Sequence, residues 1–429
     1  MNKEQRENKR TEGLDKKQNK IHKKSRKDNI PMERIDLKMT IALIFICCFG
    51  LLMLYSASSY ECSMSKDYNY DSAYLLKKQM FFMAAGLIVI FVARYINYNL
   101  LRKCAIVIYA LGNGSIFLLL TPLGISANGA KRWVDLGVMQ FQIAEVVKIS
   151  VIVFLAYMIY RFYGALGSWK LTLYIWAAGG IPAFLIFVIS NDMSSALVIL
   201  GMTFLASFIC TRTWKLHLIV AAVAMVFVAF YVYGIAANLP TQEELNEMPF
   251  RVGRIAAWIA PERYAQKQGY QVLQSLYAIA SGGLFGKGLG NSTQKLGAIP
   301  ESQNDMIFSI ICEELGLFGA LILVGLFSYL LLQIVKVAIA SPDVFGSVLA
   351  LGVFLHIGLQ SIINIAVNAN WMPNTGIALP FISYGGTALF CQLFEIAMVY
   401  AVERRNRLMA AQRIRAQERM LRREEMKNQ

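Results

Sequence analysis

Ten stretches of the chain are long, apolar and free of strand-like alternation: residues 38–57, 77–96, 103–120, 145–163, 171–189, 195–211, 215–235, 306–336, 347–368 and 383–402. Each approaches the roughly 20 apolar residues that cross a bilayer as a helix. Lipid offers no partner to an open backbone, so runs of this kind must be helical. The pattern predicts an all-α membrane protein with ten transmembrane helices. One connection breaks the rhythm, because residues 236–305, between the seventh and eighth runs, form a segment far longer than a helix connection needs. Long connections of this kind usually carry function. No internal repeat is visible, so an inverted-repeat transporter gains no support.

Charge orients this pattern. Of a net +15, residues 1–38 contribute 13 Lys/Arg against 7 Asp/Glu, and residues 403–429 contribute 9 against 4. Basic tails can bind nucleic acid, but each of these abuts an apolar span. The positive-inside rule therefore accounts for them better, with both termini in the cytoplasm beside anionic lipid. The expected organisation is a basic cytoplasmic tail (1–37, unstructured up to about Pro31), a ten-helix membrane domain (38–402) and a second basic cytoplasmic tail (403–429). The N-terminal stretch is not a signal peptide, since its basic run is too long and no cleavage site follows. Segments 58–76, 121–144, 190–194, 236–305 and 369–382 then fall on the extracytoplasmic side, and the basic turns Asn97–Lys103, Arg161–Lys170 and Thr211–Lys215 fall inside. Only 16% of residues are charged, against about a quarter in soluble proteins, which fits this class. The seven cysteines lie mostly in apolar runs with no CxxC spacing, so they predict neither a disulfide framework nor a metal site.

Six basic residues run against the orientation trend: Lys131, Arg132, Arg251, Arg254, Lys287 and Lys295. Singly each can be a solvated loop residue. As a set beside glycine-rich turns they suit an anionic head group, since guanidinium and ammonium groups match phosphate oxygens. The first cluster runs from Asn128 through Lys131-Arg132-Trp133 to Glu145 and Lys148. Trp133 can be an interfacial belt residue or a platform for a sugar ring. Glu145 and Lys148, spaced i,i+3, share a helix face as an ion pair or as part of a site. The second cluster holds Gly269-Tyr270-Gln271, the glycine-rich 281–290 stretch and Pro300-Glu301-Ser302-Gln303-Asn304-Asp305. That stretch is neither a Walker A nor a dinucleotide fingerprint, although its backbone N–H groups could approach a phosphate. Asp305 can cap the eighth helix or act as a base if burial raises its pKa; Asp305, Ser309 and Glu313 are spaced to share one helical face. In the third cluster His356, Gln360, Asn364 and Asn368 form a polar stripe suited to interhelical hydrogen bonding. Pro373 to Gly386 follows, including Ser383 and Tyr384, where prolines and glycines break the helix at membrane depth. Such backbone survives only when it is buried or lines a cavity.

Together these clusters resemble the signature of the SEDS family, the FtsW/RodA/SpoVE shape, elongation, division and sporulation proteins. The resemblance covers about residues 38–402 and is most specific over Asn128–Lys148, Gly269–Leu315 and Asn364–Gly386. It implies a peptidoglycan glycosyltransferase of the bacterial plasma membrane, polymerising lipid II beside a class B penicillin-binding protein and other divisome proteins. The family's essential aspartate matches Asp305, its Arg-Trp pair Arg132-Trp133, its E-x-x-K pattern Glu145 and Lys148, and its Pro-Glu Pro300-Glu301. The stretches Gln274–Ile279 and Gly288-Leu289-Gly290 resemble the FtsW branch more than the RodA branch. Gln303-Asn304 stands where His-Thr is common, and Asn368 and Asn370 where small or apolar residues are usual.

Inverting sugar transfer needs a base on the attacking hydroxyl and charge stabilisation on the leaving pyrophosphate. The expectation is that Asp305 is the base. Lys131, Arg132 and Lys148, joined by Arg251 or Arg254, then stabilise the departing undecaprenyl pyrophosphate, with Glu145 orienting Lys148. Trp133, Glu301, Ser383 and Tyr384 complete the expected substrate site. No ligand cluster demands a metal, though a divalent cation could assist at the pyrophosphate. Two alternatives stay open: a lipid II flippase, favoured only by the 356–368 stripe, and a catalytically silent divisome scaffold.

Overall fold

The computed structural model describes residues 37–93, 98–127, 130–135, 137, 140–248, 250–267, 269–297 and 299–428. Most of the N-terminal basic tail, and Asn128, Gly129 and Leu136 of the first cluster, lie outside the described residues. Seven spanning-length helices come first: α1 (Leu37–Met64), α2 (Tyr74–Ala93), α3 (Asn99–Gly114, prolonged by a 3-10 turn Ser115–Leu120), α4 (Ile143–Arg161), α5 (Trp169–Leu185, closed by a π turn Ile186–Ser190), α6 (Met193–Cys210) and α7 (Trp214–Ala237). Short helices α8 (Gln242–Glu247), α9 (Phe250–Ile259) and α10 (Tyr270–Gly282) follow, then α11 (Ile307–Ala340), α12 (Val344–Asn368) and α13 (Gly386–Asn428). Ten of these helices are long and apolar enough to cross a membrane, and they agree in number and order with the ten apolar runs.

Three features depart from the sequence expectation. The chain is not all-α, because residues 124–142 form a three-stranded antiparallel sheet of β1 (Gly124–Ala127), β2 (Ala130–Asp135) and β3 (Gln140–Gln142). Strands this short give little periodicity in sequence. The segment between α7 and α11 is not an open loop but carries the three short helices α8 to α10. The last helix does not stop near 402; it continues to Asn428, as its Glu-, Arg-, Gln-, Ala- and Met-rich composition favours.

The middle of the bundle is built by α4, α12 and α13, whose apolar faces supply Val147, Val151, Ile152, Leu349, Val353, Leu393 and Ile396 to one continuous core. Helix α7 stands apart, and among its described residues only His217 is buried. Its far end holds the short helices in place: Ile235 and Leu239 pack on Leu245, Ala256, Ala257 and Tyr264. The Tyr264 hydroxyl also donates to the Pro240 carbonyl at 2.8 Å. This arrangement suspends α9 and α10 over one end of the bundle, where the irregular segments 283–306 and 369–385 also gather.

Candidate active site

The glycine-rich stretch comes first, because its role is steric. Helix α11 opens at Gly316 (φ 67°, ψ −166°), which frees carbonyls on the preceding turn. The stretch recaptures them: Lys287 N–H donates to the Glu313 carbonyl and Gly288 N–H to the Glu314 carbonyl, each at 2.9 Å. Leu317 N–H returns a bond to the Gly283 carbonyl at 2.9 Å. The approach is so close that a Cβ on Gly286 (φ 78°) would stand 2.2 Å from the Glu314 carbonyl oxygen. These N–H groups are therefore spent on α11, and the expected backbone cradle for a phosphate does not form there. Gly286→Ala is expected to destabilise the fold by more than the ~1 kcal/mol of a left-handed glycine alone, read as a lower melting temperature in detergent.

The buried glutamates of α11 serve the same junction. Glu313 accepts from Lys287 Nζ (2.6 Å), Ser292 Oγ, Thr293 N (3.1 Å) and Thr293 Oγ1 (2.9 Å). Glu314 accepts from Lys295 Nζ at 2.8 Å and Ser56 Oγ at 2.7 Å. Two of the six cations read as anion ligands are thus internal counter-ions. A third, Arg251, donates to Asn191 Oδ1 at 2.6 Å and lies over the Phe187 ring.

Asp305 lies in the turn before α11 and is half-buried. It does not cap the helix, since the capping position is Met306. Its carboxylate instead meets Gln271 Nε2 at 3.4 Å, with Gly376 of the 369–385 loop close by. Gln271 Oε1 accepts from Asn374 Nδ2 at 2.8 Å, and the Asn374 carbonyl accepts from Arg254 at 3.1 Å. One network thereby joins α10, the 369–385 loop and α9 around the carboxylate. Burial pushes the Asp305 carboxyl up to about 7, and the Glu301 charge adds to the rise. A hydrogen bond from its own backbone N–H, then Arg254 and Arg132, oppose it without cancelling it. Burial in turn pulls the Arg254 guanidinium below the usual arginine range, Asp305 opposes this and Arg132 reinforces it. The Nε of Arg132 is buried with no hydrogen-bond partner among the described residues. Two guanidiniums thus act on the Asp305 carboxylate, with Glu301 and Asp192 as further acidic neighbours of the group.

Strand β2 explains why neighbours in sequence part company. The register with β1 shifts between Ile125 and Ser126, which inserts Arg132 as an extra residue between the paired Lys131 and Trp133; Lys131 is left exposed, Arg132 half-buried and Val134 buried. Trp133 pairs across the sheet with Ile125 and Gln142 and stays half-buried. Glu145 and Lys148 meet at 2.7 Å, both nearly inaccessible, and Lys148 also donates to Gln360 Oε1 at 3.1 Å. Glu301 is exposed, has φ 58°, and accepts from Asn304 Nδ2. The Ser383 hydroxyl accepts Leu379 N–H at 2.7 Å within the loop, and Tyr384 N–H donates to the Gln303 carbonyl at 2.8 Å. Asp305, Arg132, Arg254 and Glu301 therefore gather, whereas Lys131 stays exposed and Arg251 and the Glu145–Lys148 pair are engaged elsewhere.

Gln271 and Asn374 were not singled out as site residues, although both stand in the quoted clusters. The polar stripe of α12 serves backbone: Gln360 donates to the Ala378 carbonyl at 3.0 Å and Asn364 to the Ile377 carbonyl at 2.7 Å. His356 pairs with Glu395 at 2.8 Å.

A bundle of ten spanning helices, one end of which gathers a carboxylate and two guanidiniums, defines a multi-pass membrane protein with a polar candidate site at that end. The chain belongs to the FtsW/RodA/SpoVE family, whose model, described as cell cycle protein, matches residues 37–408. It is 32% identical over 372 residues to a Trichlorobacter lovleyi protein named probable peptidoglycan glycosyltransferase FtsW, covering 85% of this chain and 92% of that one. It is also 32% identical over 381 residues to stage V sporulation protein E of Bacillus subtilis, covering 87% and 98%. A solved structure concerned with the coordination of polymerization and crosslinking by a peptidoglycan synthase complex contains a chain of the same fold. The match has a TM-score of 0.67 and 25% identity, over 87% of this chain and 99% of that one. The crystal structure of Thermus thermophilus RodA shares the fold with a TM-score of 0.59 at 23% identity, over 87% and 97%.

Proposed function

We propose that this protein is a peptidoglycan glycosyltransferase that joins lipid II units and releases undecaprenyl pyrophosphate. The observation that carries the reading is Asp305 itself, half-buried, its carboxyl raised to about 7, facing Arg132 and Arg254. A carboxylate of that pKa is a competent base near neutral pH. It takes the proton of the acceptor sugar hydroxyl as that oxygen attacks the donor's anomeric carbon. The donor's bond to its pyrophosphate breaks, and the two guanidiniums receive the charge that develops on the leaving oxygen. The names of the relatives support the same chemistry, and those that carry the name FtsW favour a role in division. Among the described residues no three His, Cys, Asp or Glu converge, so a divalent cation would be held mainly through the substrate's own phosphates.

The site end is assigned to the extracytoplasmic face, both termini to the cytoplasm, and a class B penicillin-binding protein to the role of cross-linking partner. The α12 stripe is spent on internal partners, main-chain carbonyls for Gln360, Asn364 and Asn368 and the Glu395 and Lys148 side chains for His356 and Gln360, which leaves the flippase reading without an observation of its own. The test uses purified full-length chain in liposomes with fluorescent lipid II, scored for glycan strands and for translocation in parallel. Strand formation that falls at least about tenfold in Arg254→Ala supports the reading; translocation without strands refutes it. Impermeant thiol labelling of Lys131→Cys in intact cells is expected, and protection there would overturn the orientation.

A further inference from the structure

An aspartate just before a helix commonly spends its carboxylate on the free N–H groups of the first turn. Asp305 does not, and the reason lies on another helix. Asn368 Oδ1 accepts from Ser309 N–H at 3.2 Å, a donor it shares with the Met306 carbonyl at 3.2 Å, and lies 3.1 Å from Ser309 Oγ, whose hydroxyl also reaches the Met306 carbonyl at 2.7 Å, so α12 supplies a side-chain acceptor to the first turn of α11. The amide nitrogen of Asn368 donates to the Asp305 carbonyl at 2.8 Å. One turn earlier on α12, Asn364 Nδ2 donates to that same carbonyl at 2.8 Å and to the Ile377 carbonyl at 2.7 Å. Both asparagines are fully buried, and Ser275 Oγ fixes the end of α12 by donating to the Asn368 carbonyl at 2.9 Å. Two amides spaced i,i+4 therefore grip one carbonyl and tie the Asp305 turn to the 369–385 loop.

We propose that Asn364 and Asn368 are positioning residues for the transfer reaction, capping α11 from outside and holding the Asp305 main chain so that its carboxylate stays clear of the first-turn N–H groups of that helix. The inference rests on the reading of Asp305 as base. The charged groups facing that carboxylate are Glu301 from its own turn, Arg254 from α9 and Arg132 from β2; α10 presents the neutral Gln271 and α12 only the two asparagines. Without the Asn368 oxygen, α11 can regain a cap by lengthening one residue and recruiting Asp305. A carboxylate that accepts backbone N–H bonds is stabilised in its charged form and is a weaker base.

Three variants of the full-length chain, Asn368→Ala, Asn364→Ala and Asn368→Asp, are assayed for strand synthesis across pH. For the two alanine variants kcat is expected to fall about tenfold or more with KM within about twofold. The acidic limb of the Asn368→Ala profile is expected to move to lower pH. Asn368→Asp keeps an oxygen for Ser309, and its limb stays at or above the wild-type position. Unchanged kcat, or a lower melting temperature with an unmoved limb, overturns the proposal. A second measurement needs no activity: the melting temperature of Asp305→Ala in the wild-type and Asn368→Ala backgrounds. Asp305→Ala is expected to be harmless in the first and to lower the melting temperature in the second, where the carboxylate has become the cap; additive effects overturn the proposal. A wild-type chain that makes no strands would refute the enzymatic reading instead, and the melting-temperature comparison would still decide whether Asn368 caps α11.

Discussion

Asp305→Asn is expected to lower strand synthesis by about 10²–10⁴-fold, the usual contribution of a positioned general base, without loss of folded protein. The asparagine amide fills the same space beside Gln271 and Gly376, so binding of lipid II should persist while turnover fails. The melting temperature should hold or rise, because the wild-type carboxylate is desolvated and repelled by Glu301. The same shift sets the pH dependence. With its carboxyl at about 7, Asp305 is protonated and inactive as a base in mildly acidic buffer, so activity should climb as pH rises through about 7 and then level off. Stability runs the other way. The folded state holds the proton up to about 7 while the unfolded chain releases it near the ordinary aspartate value of 3.8, so raising pH between those values disfavours the folded state. Glu301→Gln removes the second cause of the shift and should move the activity limb to lower pH. Full activity in Asp305→Asn, or an acidic limb that ignores Glu301, would remove Asp305 from the role of base.

Glu314→Ala is expected to be the most damaging single change to the fold. It strips the counter-ion from Lys295, whose side chain is only 6% exposed, and leaves an uncompensated charge in the bundle. Breaking a buried pair in this way costs roughly 3–5 kcal/mol. Ser56 loses its acceptor as well, and the loop that closes over the break at Gly316 loses one of its two ionic anchors. The double variant Glu314→Met/Lys295→Met should recover most of the stability, because two apolar side chains of similar length remove the unpaired charge. Thermal unfolding in detergent checks both. A Glu314→Ala protein as stable as wild type would mean that the pair contributes only surface-like electrostatics.

Much of the site was legible, and the failures have particular causes. Asp305 could be placed because a charged residue at the edge of an apolar run is costly unless it serves something. Glu145 and Lys148 could be paired because helical spacing alone brings i and i+3 together. Arg132 and Arg254 were indicated by charge in the wrong place for the orientation trend, but so were Lys287 and Lys295, which the fold turns inward onto Glu313 and Glu314. The difference is a pairing between residues 26 and 19 positions apart, beside a helix break, which no local pattern encodes. Lys131 and Arg132 read as one basic cluster until the irregular strand left the first exposed and the second half-buried. The dipeptide Asn128-Gly129 between two short runs is a hairpin signal that could have exposed this. Gln271, Asn374 and the true work of Asn364 and Asn368 escaped, because uncharged amides in a membrane domain suit several hydrogen-bonding roles equally well.

The amino-acid sequence by itself determined the number, order and helical nature of the spans, because an apolar solvent leaves the backbone no other choice. It also singled out the carboxylate on which the proposed function rests. Only the tertiary structure decided which cations reach that carboxylate, which are neutralised by buried glutamates, and what keeps the carboxylate from capping its own helix. Those outcomes depend on distances between segments remote in sequence, and Coulomb and hydrogen-bond energies fall off within a few ångströms.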